Sequence, residues 1–131
     1  MSEHPNVQRL RDGYDAFGKG DFSALDDLFA EDIRWHEGGR SQLAGHLEGR
    51  AAVYDLFRRL FELTGGTFRL DVRTAFADDT DGVVVAVASG RVGNRSFDQL
   101  MEAHIWRFSD GRIAEFWHAQ TDQYAVDEVF G

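Results

Sequence analysis

Between Phe97 and Asp122 the chain reads FDQLMEAHIWRFSDGRIAEFWHAQTD, two strand-forming runs about the turn signal Ser109-Asp110-Gly111. Successive side chains of a strand point to opposite faces. A hairpin carrying His104, Trp106, Phe108, Phe116, Trp117 and His118 therefore puts large rings on both of its faces. Burying one large apolar side chain contributes roughly 1.5–3 kcal/mol, so such a hairpin is strongly driven out of water. It must wall a core or a pocket. The length of 131 residues suits one core, and the expectation is one domain over residues 1–131.

The other elements follow from periodicity. Val7, Leu10, Tyr14 and Phe17 recur at steps of three and four, one stripe of a helix that Gly18 and Gly20 end. Gly13 inside that stripe costs about 1 kcal/mol against Ala, which a close packing contact would explain. Asp21 is placed to cap a short second helix through Leu25, Leu28 and Phe29. Ile33 to Glu37 reads as a short strand. GGRSQLAGHLEGR then reads as a Gly-rich rim or lid loop of about a dozen residues. From Arg50, the residues Val53, Leu56, Phe57, Leu60, Phe61 and Leu63 mark the longest helix, stopped by Gly65-Gly66. Phe68 to Phe76 alternates apolar and charged residues. Val83 to Ala88 is an unbroken apolar run, which suggests burial on both faces. Asp78 to Gly82 and Gly93-Asn94 are turns, and a last helical turn follows Thr121 or Asp122. Helices followed by a meander of strands imply α+β, with about three helices on the concave face of a curved antiparallel or mixed sheet. Such a cone has a ligand cavity at its mouth. The two-faced strands predict a partner on the convex side, most simply a second copy in a homodimer.

Charge and composition exclude several functions. A net charge of −9 with a single lysine repels phosphate backbones, so no nucleic-acid partner is expected. No basic amphipathic helix or long apolar window is present, so no membrane partner is expected and a cytoplasmic protein is predicted. Without cysteine there is no thiol nucleophile or thiolate metal site. No HxH or HExxH spacing, phosphate loop or GxSxG elbow occurs, and neither a metal nor an organic cofactor is expected.

Three strings, GDF leading to LFAED at residues 20–32, Gly45 to Arg50 before the long helix, and RFSDGRIAE at 107–115, resemble the NTF2-like superfamily, in its SnoaL-like polyketide cyclase and ketosteroid isomerase branch. The resemblance covers nearly the whole chain and implies a cone-shaped α+β fold that hosts many activities. It also implies site residues. Glu37 falls where ketosteroid isomerases hold their general base, and His104 falls at their oxyanion-hole acid. His118 matches the acid/base position of SnoaL-type cyclases. Gly13 replaces the isomerase tyrosine, and Tyr14 next to it points about 100° away round the helix.

These residues imply a cofactor-independent enzyme that isomerises, cyclises or dehydrates a hydrophobic carbonyl compound. Glu37 would take a proton next to the carbonyl, His104 would donate to the enolate oxygen, and His118 would relay the proton. Trp35, Phe57, Phe61, Trp106 and Phe116, with Tyr14 and Asp122, are the candidate substrate-binding residues, and an aromatic wall of this kind suits a flat ligand such as a polycyclic ketone. Asp122 reads equally as a helix cap. The alternative is a non-catalytic ligand-binding or dimerisation module. The turn at Asp110-Gly111 decides how the histidines meet. A two-residue turn sets His104 opposite Trp117 and turns His118 away; a three-residue loop with a bulge puts both histidines on one side.

Overall fold

The computed structural model describes residues 3–131. The chain runs through α1 (Pro5–Gly18), a 3-10 helix (Phe22–Asp27), β1 (Phe29–Glu37), β2 (Gly45–Glu48), α2 (Arg50–Leu63), β3 (Arg69–Ala77), β4 (Asp81–Val92), β5 (Arg95–Ser109), β6 (Arg112–Gln120) and α3 (Gln123–Phe130). The strands form one open sheet in the order β2-β1-β6-β5-β4-β3. Only β1 and β6 run parallel; the other neighbours are antiparallel. This is the expected α+β cone.

Helix α1 buries Val7, Leu10 and Gly13 along its inner stripe. A Cβ at Gly13 would lie 2.7 Å from Leu28 Cδ2, the close contact that its place in the helix called for. Helix α2 buries Val53, Leu56 and Phe57 against the sheet. Between them, Ile33, Ile113 and Phe116 are almost completely buried. Phe116 is the central ring, stacked on Trp35 at 3.7 Å between centroids and tilted against Trp106 at 4.5 Å.

Bulges curve the sheet. Between β3 and β4 the register shifts at Val72/Thr74, between β4 and β5 at Ala88/Gly90, and between β5 and β6 at Arg107/Phe108. An extra residue on one strand bends it and sharpens its twist. Gln99, with φ of 52°, takes up the left-handed conformation at the second bulge. That shift brings Phe97 and Leu100 to the same cavity wall, though odd spacing would separate them on a regular strand.

The third bulge answers the question of register by combining both alternatives. Ser109 pairs with Arg112 across a two-residue Asp110-Gly111 turn, whose φ angles of 52° and 78° suit a type I′ turn. The bulge comes afterwards, on β6: Phe108 pairs with Ile113 and Arg107 with Glu115, leaving Ala114 as the extra residue. His104 consequently pairs directly with His118, and Trp106 with Phe116.

Several boundaries differ from the sequence reading. The Gly-rich loop is shorter, because Gly45–Glu48 pairs with β1 as strand β2. The second helix is a 3-10 turn ending at Asp27, Asp21 makes no side-chain cap there, and Phe29 opens β1. Val83–Ala88 is buried on its inner face but only partly on its outer one, where Val87 is buried and Val83 is not. Val84, Ala86 and Ala88 point inward, while Val83 is 37% exposed on the outer face. There it shares a cross-strand row with Phe76, Ile105 and Trp117. No helix among the described residues is long and apolar enough to cross a membrane.

Deleting Ala114 would leave Phe108–Ile113 and Arg107–Glu115 as consecutive pairs, so the ladder becomes regular and Phe116 and His118 keep the inner face. The variant is expected to fold with a loss of about 1 kcal/mol or less, since the central ring stays in the core. Urea unfolding checks this, and a loss of about 3 kcal/mol or more, the scale of a large ring leaving the core, would contradict the assignment of the bulge.

Candidate functional site

The inner face of the cone is built by alternation. On β1 the inward side chains include Trp35 and Glu37, on β5 Glu102, His104 and Trp106, and on β6 Phe116, His118 and Gln120; all line one cavity. Its volume is about 120 Å³. An apolar cavity of about 150 Å³ holds a benzene ring, so this one is on the scale of a single ring and is small for a polycyclic ketone. Gln123, Val126 and Phe130 of α3, with Gly38, Ser41 and Leu43 of the rim loop, complete the lining. The rim is tied to α3 through Asp127, whose carboxylate accepts the Arg40 and Ser41 backbone N–H groups at 2.9 and 3.1 Å. This matches the expectation of a rim or lid.

Polar groups gather at one end in a single hydrogen-bonded chain. Trp106 Nε1–H donates to the Tyr14 hydroxyl at 3.2 Å. The Tyr14 hydroxyl lies 2.5 Å from His104 Nδ1, and His104 Nε2 lies 2.8 Å from Glu102 Oε2. Glu102 Oε2 also contacts His118 Nε2. His118 Nδ1 lies 2.5 Å from Glu37 Oε2, and Trp35 Nε1–H donates to Glu37 Oε1 at 2.9 Å.

The ends fix the direction of the bonds. An indole only donates and a carboxylate only accepts. Tyr14 accepts from Trp106, and the acceptor within reach of its own buried proton is His104 Nδ1. His104 is then the neutral Nε2–H tautomer, donating to Glu102. His118 lies between two carboxylates and satisfies both by donating from both nitrogens, as an imidazolium. Burial alone would push the His118 pKa down, but the Glu37 charge and the bonds to both carboxylates outweigh it and raise it to about 10. Burial alone would likewise raise Glu102, and the His104 and His118 bonds bring it down to about 2. Burial is the main reason that Tyr14 stays a neutral phenol far into alkali.

The structure brings Glu37, His104 and His118 together, with Trp35, Phe57, Trp106, Phe116 and Tyr14 around them. Two of the expected substrate contacts lie elsewhere. Phe61 packs with Phe17, Phe22 and Phe68 instead of lining the cavity. Asp122 caps α3, accepting from the Ala125 N–H at 3.1 Å, and its side chain is committed there. Tyr14 supplies the hydroxyl that its position one residue past Gly13 argued against, bonded to His104 and Trp106 of β5. His104 has both ring nitrogens engaged within the protein, which leaves no free donor for a ligand.

Sequence reasoning missed Glu102, the buried carboxylate that joins the two histidines. Its signal was alternation: it precedes His104 by two and so shares its face. Gln120 was missed too. Its amide nitrogen as placed lies 2.9 Å from His118 Nε2, and its oxygen is the one buried side-chain atom without a partner among the described residues. Amide orientation is set by the bonding network. Beside an imidazolium N–H the amide must turn its oxygen inward, which leaves its NH2 as the free group. Glu102, His104 and His118 also place one donor atom each within 4.8 Å of one another, a set that could hold a metal ion.

A second cluster sits on the outer face. His36 Nε2 lies 2.6 Å from Glu115 Oε2, Arg34 donates to Glu115 Oε1 at 3.0 Å, and His36 stacks on Trp117. His36 thus belongs with Glu115 and not with its neighbour Glu37.

Two ionic contributions to stability have opposite pH limits. Glu102, whose pKa is lowered from 4.5, stabilises the fold above that value and ceases to as pH falls towards 2. His118, raised from 6.5, stabilises fully below 6.5 and loses its contribution as pH rises through 10. Unfolding midpoints should therefore be highest between about pH 4.5 and 6.5 and decline on the alkaline side. His118→Gln should flatten that decline; an identical alkaline slope in the variant would refute the assignment.

The family model described as SnoaL-like domain matches residues 10–116. Among solved structures, Bal32a from a soil-derived mobile gene cassette is 32% identical, with 96% of each chain covered and a TM-score of 0.91. An NTF2-like protein from Burkholderia pseudomallei is 27% identical, covers 99% of this chain and 98% of its own, and has a TM-score of 0.84. TerC, co-crystallised with polyporic acid, shares the fold at 21% identity and a TM-score of 0.82, with 96% and 98% covered. No curated protein matches the chain.

Proposed function

The chain belongs to the SnoaL-like family, and from that premise we propose a cofactor-independent enzyme that moves a proton on a small, mostly apolar carbonyl compound. The observation that carries the reading is the Glu37–His118–Glu102 array at the polar end of an apolar cavity. A buried acid and base in contact are what general acid–base catalysis requires. A relative of the same fold co-crystallised with polyporic acid is in keeping with an organic ligand.

In this mechanism Glu37, the more exposed of the two carboxylates, removes a proton from the carbon next to the carbonyl. His118 holds the proton that is returned at a second position, and Glu102 stabilises the imidazolium from behind. His104 and Tyr14 act one step removed, orienting Glu102 through the fixed tautomer of His104. The Gln120 NH2 takes the donor role towards the carbonyl oxygen. Isomerisation, aldol cyclisation and dehydration all begin with this proton removal.

Hydrogen–deuterium exchange into enolisable ketones of single-ring size, followed by NMR, tests the reading. Glu37→Gln should slow exchange by about 10²–10⁴-fold. Gln120→Leu should slow it by about 10²-fold, as loss of an oxyanion donor does. Exchange at the buffer rate with wild-type protein would sink the enzyme reading and favour a ligand-binding module.

We also propose a homodimer through the outer face, where Phe76 is 62% and Met101 46% exposed beside Val83 and Ile105. Sedimentation should give twice the chain mass, and Ile105→Glu should give a monomer. A wild-type monomer at micromolar concentration would overturn this.

A further inference from the structure

We infer that the natural ligand of the cavity carries a positive charge: it is a small organic cation, such as a protonated amine or iminium, with an apolar body about one ring in size. The inference rests on reading the cone as a ligand site and narrows the substrate class within it.

The first support is a count of charges. Four titratable groups other than Tyr14 line the cavity, Glu37, Glu102, His104 and His118. His104 is neutral, fixed by donation from Tyr14 on one side and donation to Glu102 on the other. One proton is shared among Glu37, His118 and Glu102 beyond those a pair of carboxylates and a neutral imidazole would hold. Wherever it resides, the cluster keeps one negative charge in excess. No lysine or arginine lines the cavity to balance it. The two candidates nearest Glu37 in sequence both lie outside the cavity: Arg34, on the opposite face of the sheet, pairs with Glu115, and Arg40 is exposed on the rim loop beside Asp127.

The second support is the wall. Trp35, Trp106, Phe57 and Phe116 line the same space, within 5.6 Å of one another along the chain of ring contacts Phe57–Trp35–Phe116 and Trp35–Trp106. Aromatic faces attract cations through their quadrupole, and more strongly where water is excluded. An excess carboxylate charge behind aromatic rings favours a cation, tolerates a neutral ligand and repels an anion. A net charge of −9 on the chain adds long-range attraction of the same sign. The chemistry gains as well. A positive charge on the ligand stabilises the enolate that proton removal by Glu37 creates, in a site where the indole, phenol and imidazole donors are already committed.

Three probes of equal shape separate charge from size: benzylammonium, benzyl alcohol and benzoate, titrated at pH 7.5 against the intrinsic tryptophan fluorescence. Benzylammonium should bind about tenfold or more tightly than benzyl alcohol, the scale of a partly desolvated cation–π contact, and benzoate should not bind measurably. Glu37→Gln should reduce the benzylammonium preference towards unity. Glu62→Gln, which removes the same charge from an exposed position on α2, should leave the preference intact and so separate local from overall charge. Benzoate binding as tightly as benzylammonium, equal binding of all three, or no binding by any would overturn the inference. Because the readout is binding alone, charge preference without proton exchange would refute the proposed enzyme and leave this inference standing; exchange without charge preference would do the reverse.

Discussion

His118 donates to two carboxylates that would otherwise repel each other inside an apolar cone. Neither Glu102 nor Glu37 is tolerable there alone, since an unpaired buried charge costs several kcal/mol. The imidazolium makes the pair tolerable, and the indoles of Trp35 and Trp106 terminate the chain of bonds at each end. The packing around this chain exists to keep it dry and in register. Phe116 holds Trp35 and Trp106 in place, and Gly13 lets Leu28 come close to α1 beside Tyr14.

The bulge at Ala114 is the geometric condition for this arrangement. It puts Phe116 and His118 on the inner face and Glu115 and Trp117 on the outer. The sheet thus carries two histidine–carboxylate clusters back to back. The inner one is closed off by aromatic rings and α3. The outer one, His36 with Glu115 and Arg34, lies beside an exposed apolar row. One strand pair therefore serves both the cavity and the surface proposed for a second copy.

Much of this was legible before the structure. Helical periodicity located α1 and α2 within a residue or two, and the aromatic hairpin was recognisable as a two-sided wall. Glu37, His104 and His118 emerge at one site as the family resemblance implied. What escaped was set by distances that no local pattern encodes. That Tyr14, and not the residue at Gly13, meets the histidine is set by a contact across 90 positions of the chain. Glu102 looked like one charged residue among many because its partner His118 is 16 positions away. The bulge was foreseen as one of two alternatives, but its separation from the turn depends on how β6 also pairs with β1. Strand β2 was hidden by glycines, since its pairing with β1 and not its own composition makes it a strand.

The account stands on the proton held by His118. Nitrogen-15 NMR of the histidine side chains across pH 5 to 10 observes it directly. Both His118 nitrogens should remain protonated through pH 8. A His118 signal that titrates near 6.5 to a neutral ring would contradict the central arrangement, and with it the charge assigned to the cavity.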